Sequence, residues 1–102
     1  MSSIYHIVTK ESWEAQKGSE VYIHSSLNTE GFIHASTLSQ LQGVLNRYYK
    51  GVTGLYRLTI DPTLLESTSE LKEELAISIG EMFPHIYGPI NKSAIIEVTL
   101  IR

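Results

Sequence analysis

The chain is 102 residues long, 42% hydrophobic and 19% charged, a composition that suits one domain spanning 1–102, with material for one core. A formal charge of -3 offers no broad attraction for nucleic acid or an anionic membrane, so neither is an expected partner. The absence of cysteine excludes disulfides, thiolate nucleophiles and thiolate-bound metal. No apolar run of about 18 residues occurs and MSSIYHIVTK lacks a basic-then-apolar leader, so a cytoplasmic protein is expected.

In chain order, Ile4 to Val8 is a short apolar run rich in β-branched and aromatic residues and predicts a strand. Thr9 is placed to cap a helix of about two turns over KESWEAQK, closed by Lys17 and Gly18. EVYIH at 20–24 predicts a short strand and SSLNTEG a loop. Phe32 to Ala35 predicts a very short strand, after which Ser36 or Thr37 caps LSQLQGVLNRYYK. There Leu38, Leu41, Leu45, Tyr48 and Tyr49 recur at helical spacing, with Gly51 following.

LYRLTI at 55–60 alternates and stops at Asp61-Pro62, and AIIEVTLI at 94–101 alternates around Glu97 and Thr99. FPHIYGPI is extended but interrupted by Pro84, Gly88 and Pro89, which predicts a sheet edge or cleft wall. STSELKEEL at 67–75, the most polar stretch, reads as loop. Two early helices on a small split or mixed β-sheet drawn from both ends of the chain make the expected fold class α+β.

Three histidines sit among aromatic and apolar residues: IYHIV, GFIHAS and FPHIYG. Strand alternation places Ile4, His6 and Val8 on one face, Phe32, His34 and Ser36 on another, and Phe83, His85 and Tyr87 on a third. Desolvated imidazole is mostly neutral and offers one donor and one acceptor, which serves both binding and proton transfer. A structural role is the competing reading for each, since buried polar groups are normally hydrogen-bonded. His24, beside Ser25 and Ser26, reads as a surface or capping residue.

Other chemistries find less support. No histidine pair has compact metal-ligand spacing, so no metal is expected. There is no GxSxG, and Ser36 is better placed as a cap or ligand hydroxyl than as a nucleophile. A two-histidine phosphoesterase needs two His-x-Ser/Thr units, and only His34-Ala35-Ser36 matches. Glu70, Glu73 and Glu74 read as a solvated face, leaving Glu81 and Glu97 as isolated carboxylates near apolar strands. GVTG at 51–54 lacks the lysine and helix of a phosphate loop, and Arg47, Arg57 and Arg102 are the only arginines.

Taken together, YHIVTKESWEAQ, EGFIHAST, NRYYKG, LTIDP and FPHIYGPI resemble the domain-of-unknown-function 952 family from about residue 4 to residue 98. The resemblance implies a fold similar to ADP-ribosyltransferases and tRNA 2′-phosphotransferases, whose split sheet holds NAD in a cleft. It implies a ribose contact at His6, with Phe32, His34 and Ser36 near the nicotinamide end. The late-strand glutamate of such transferases is replaced by FPHIYG, with His85 and Tyr87. The resemblance therefore implies binding of a nucleotide-like ligand such as NAD or ADP-ribose, with processing of it by imidazole acid–base chemistry on a ribose or phosphate if the domain is an enzyme. His34 and His85 are the candidate catalytic imidazoles, and His6, Phe32, Ser36 and Tyr87 the candidate ligand contacts. The alternative is a binding or interaction module without transferase activity.

Overall fold

In the computed structural model, which describes residues 2–102, the chain begins with β1 (Ile4–Thr9). The Thr9 hydroxyl accepts the Ser12 N–H at 3.1 Å and so starts α1 (Lys10–Glu14). This helix is shorter than KESWEAQK predicted. The Gln16 carboxamide instead bonds both backbone groups of Ile23, each at 2.8 Å, and ties the chain to β2 (Val21–Tyr22).

The predicted loop SSLNTEG contains one helical turn, α2 (Ser26–Thr29). Buried Ser26 organises it: its hydroxyl donates to the Phe32 carbonyl at 2.8 Å, and its own carbonyl accepts from Glu30 and Gly31. No apolar periodicity announces a turn held by one tertiary hydroxyl. The next strand, β3 (Ile33–His34), has only two residues in regular pairing. Ser36 then exchanges backbone hydrogen bonds with Tyr5 at 2.7 and 2.8 Å, so the chain leaves one sheet and bridges to β1.

Thr37 and Gln40 form a capping box around a 3-10 turn, which leads into α3 (Leu41–Tyr48). Next come β4 (Leu55–Ile60), β5 (Glu70–Ala76), β6 (Glu81–Tyr87), β7 (Ile90–Asn91) and β8 (Ile95–Leu100). The sheets are ordered β1-β4-β8, β2-β7 and β3-β6-β5. Every pairing between strands is antiparallel, so the fold is α+β as expected, with antiparallel rather than mixed sheets.

In the β5–β6 hairpin the loop reading of 70–75 and the edge reading of FPHIYGPI are overturned. Residues 70–76 form an edge strand rather than loop: its outer edge is unpaired, so charged residues suit it and mask the alternation of Leu71 and Leu75. FPHIY lies at the centre of its sheet, with Pro84 fully buried. The proline is tolerated because it stands opposite Ala35, just past the end of β3, where the chain is already turning toward β1. Its carbonyl still accepts the Ala35 N–H at 3.1 Å.

The main core joins the sheets through Ile4, Val8, Tyr22, Ile33, Leu58 and Ile86, and each fully buried aliphatic side chain contributes roughly 1.5–3 kcal/mol. A second cluster, Ile7, Leu41 and Leu55 with Val44, Leu45 and Tyr49 against it, seats α3 on the opposite face of β1. β1 is therefore covered on both sides. Among the described residues, no helix is long and apolar enough to cross a membrane.

Candidate functional site

The β3–β6 pairing sets His34 directly opposite His85. Their rings lie 5.4 Å apart, edge to face. Phe32 joins them, stacked at 3.9 Å on His85 and edge-on to His34 at 4.8 Å, and it meets Tyr87 at 5.5 Å. Four residues named from the sequence thus converge on one aromatic cluster.

Each imidazole of this pair has its own carboxylate. His34 Nε2 lies 2.8 Å from Glu30 Oε2 on the half-exposed side of the cluster. His85 Nδ1 lies 2.9 Å from Glu74 Oε1, in a position that leaves its side chain only 10% accessible. The Tyr87 hydroxyl donates to the same Glu74 oxygen at 2.5 Å. These bonds, from Tyr87 first and His85 second, hold the Glu74 carboxyl below the usual carboxylate range. The bond to Glu74 pushes the Tyr87 phenol up. Among the described residues, His34 Nδ1 and His85 Nε2 have no protein hydrogen-bond partner, so each is available to a ligand.

His6 is arranged differently. Its Nδ1 donates to the His34 carbonyl at 2.5 Å and its Nε2 accepts the Tyr22 hydroxyl at 2.8 Å, so one neutral tautomer is imposed from both sides. Burial pushes its pKa down to about 3, against the smaller opposing effect of the carbonyl bond. Burial likewise pushes the Tyr22 phenol up. With both nitrogens engaged inside the protein, His6 fixes the backbone beneath His34, and a ribose contact from it would require breaking one of these bonds.

His24, expected at the surface or as a cap, does both less and more. Its Nδ1 accepts the Ser26 N–H at 3.1 Å, while its ring meets His6 edge-on at 5.1 Å. Burial first, and then neighbouring His34, hold it below the ordinary imidazole value, with Glu30 opposing. It faces the same cleft as the other three histidines.

That cleft has a volume of about 600 Å³. Its floor carries His6, Phe32, His34 and His85, one wall is α3 with Val44, Tyr48 and Tyr49, and the other is the β5–β6 hairpin with Leu75 and Ile79. Ser36 also lines it, held by its backbone bridge to Tyr5. Tyr87 stands outside the lining and reaches the site through Glu74. Among the described residues no group of three or more acidic, histidine or cysteine side chains is arranged to hold a metal ion.

Two participants carry no signal in the sequence pattern, Glu74 and Glu30. Glu74 has the sequence setting of a solvated face; it reaches His85 only through the β5–β6 register, which sets it opposite Phe83 and diagonal to His85. Glu30 lies four residues before His34, a spacing that was visible but carries no weight without the α2 turn. Glu81, one of the two carboxylates singled out near the strands, instead accepts from Gln40 Nε2 at 3.2 Å. The other, Glu97, lies 3.5 Å from Arg57 across β4 and β8.

Known structures share this fold. The crystal structure of protein CC0527 from Caulobacter crescentus superposes with a TM-score of 0.83 at 27% identity, covering 96% of this chain and 84% of that one. The solution NMR structure of CC0527 gives a TM-score of 0.79 at 29% identity, with 97% and 84% covered. No curated protein sequence matches the chain. The model of the family described as "Protein of unknown function (DUF952)" matches residues 7–98, nearly the whole length, and the chain belongs to that family.

Proposed function

We propose that the cleft binds a nucleotide-like ligand by its ribose and base, and that His34 and His85 carry out acid–base chemistry on it. The observation that carries this reading is the facing pair of imidazoles, 5.4 Å apart, both lining the cleft, each anchored by a carboxylate and each with one nitrogen that has no protein partner among the described residues. Anchoring sets the ring orientation and supports the protonated form as it appears, the role a carboxylate plays behind a catalytic histidine. Glu74 and Tyr87 act on His85 as positioning residues. Kinship of the fold with ADP-ribosyltransferases, NAD or ADP-ribose as ligand, and a cytoplasmic setting belong to this same proposal; the first two rest on the resemblance of the sequence motifs alone.

A binding module without turnover is the second reading. It is favoured by the position of Glu81, which is bonded to Gln40 outside the cleft and so supplies no late-strand carboxylate to a ribose hydroxyl. Thermal-shift and NMR titration against NAD, ADP-ribose, 2′-phosphorylated RNA and nucleosides, with turnover assays on each hit, separates the two. Under the first reading, product forms and formation is lost in both His34→Ala and His85→Ala. Binding without product selects the second, and no binding by any compound refutes both.

A further inference from the structure

The charge of the cleft narrows the ligand further. Among the described residues, no lysine or arginine lines it, and Glu30 is its one formally charged lining residue apart from the histidines. The four lining histidines do not make up the deficit: burial holds His24 below the ordinary imidazole value. His6 is held neutral by bonds at both nitrogens. His34 and His85, even when protonated, are each offset by a carboxylate at 2.8 and 2.9 Å, so each pair sums to zero.

The cations close to the aromatic walls are turned elsewhere. Arg57 lies against the Tyr5 ring at 5.3 Å and toward Glu97, Arg47 lies 5.9 Å from the Tyr48 ring on the exposed side of α3, and Lys72 pairs with Glu70 over Tyr87. At the turn that leads into α3, the Thr37 N–H is already taken by the Gln40 carboxamide. Phosphate recognition depends on charge-assisted donors, and an anion moved from water without them loses its hydration uncompensated.

What the cleft does offer suits an uncharged ring-bearing polyol. Tyr5, Phe32, Tyr48 and Tyr49 present aromatic surface. His24 Nε2, His34 Nδ1 and His85 Nε2, unpartnered among the described residues, present donors or acceptors for hydroxyls. The volume falls in the range of small-molecule sites. Resting on the nucleotide reading above, we infer that the ligand portion entering the cleft is a ribonucleoside, base plus ribose, and that phosphate groups are excluded from it.

The test is the dissociation constant of adenosine, guanosine, cytidine and uridine, each against its 5′-monophosphate, with ADP-ribose included. NMR shifts at the His34 and His85 ring protons confirm the site. At least one nucleoside is expected to bind about tenfold or more tightly than its monophosphate and than ADP-ribose. Added salt should leave nucleoside binding unchanged and narrow the gap, as should Glu30→Gln. A phosphorylated compound that binds as tightly as its nucleoside, or loses affinity in Arg47→Ala, overturns the inference while leaving the nucleotide reading standing. Silence across the whole panel overturns both.

Discussion

The bonds around His6 predict a specific loss of stability in mild acid. The unfolded chain takes up a proton on this residue as pH falls through 6.5, whereas the folded chain, with the imidazole buried and both nitrogens engaged, refuses it until about 3. The contribution of His6 is therefore fully present above about pH 6.5 and declines as pH falls toward 3. The slope is about 1.4 kcal/mol per pH unit once the unfolded-state histidine is protonated, which integrates to about 2 kcal/mol between pH 7 and pH 5. His24, also held low, adds in the same direction. Asp61 and Glu74, whose carboxyls are held low, lose their contributions only below about pH 4.5, outside this window. Urea denaturation at pH 7 and pH 5, on the natural chain and on His6→Asn, isolates the His6 share as the difference in slope. NMR titration of the His6 ring in the natural chain gives the same answer even if the variant does not fold. A His6 resonance titrating near 6.5 in the folded protein, or an unchanged pH dependence in His6→Asn, would refute the reasoning.

Removing the partner hydroxyl tests the same network from its other end: Tyr22→Phe leaves the buried His6 Nε2 unpaired and should cost about 1–3 kcal/mol in chemical denaturation. Gly88 has φ 128° and its missing Cβ would lie 2.2 Å from the Thr68 carbonyl oxygen, so Gly88→Ala should destabilise by more than about 2 kcal/mol or abolish soluble expression. His34 is half-exposed and bonded only to exposed Glu30, so His34→Ala should change stability by less than about 0.5 kcal/mol while removing ligand binding. His85→Ala, under the Phe32 ring, should lower both, and equal effects of the two substitutions on stability would contradict the geometry.

Local pattern carried much of the fold. The strand beginning at Ile4 announces itself by an apolar, β-branched run, those over Leu55–Ile60 and Ile95–Leu100 by alternation, and α3 by its apolar spacing. β5 did not, because an edge strand wet along one side has the composition of a loop. Pro84 misled for a related reason: a missing N–H disqualifies a central position only if a neighbouring strand extends that far, and β3 ends one residue short. α2 is tied to the strand that follows by the hydrogen bond from the Ser26 hydroxyl to the Phe32 carbonyl, which has no sequence period to betray it.

The same division runs through the site. The residue types are legible in the chain: histidines beside aromatics, no cysteine, few arginines, and hence imidazole chemistry in an apolar setting. Their division of labour is not. His6, His34 and His85 look alike in their local motifs, yet His6 is locked by Tyr22 and a carbonyl while the other two keep a nitrogen free. Glu74 became a partner of His85 through cross-strand register, and His24 joined the cleft through the packing of its ring on His6. Side-chain identity and periodicity are properties of neighbours along the chain. Tautomer, hydrogen-bond partner and the charge of a cleft depend on groups brought together from distant segments, and only tertiary packing decides them.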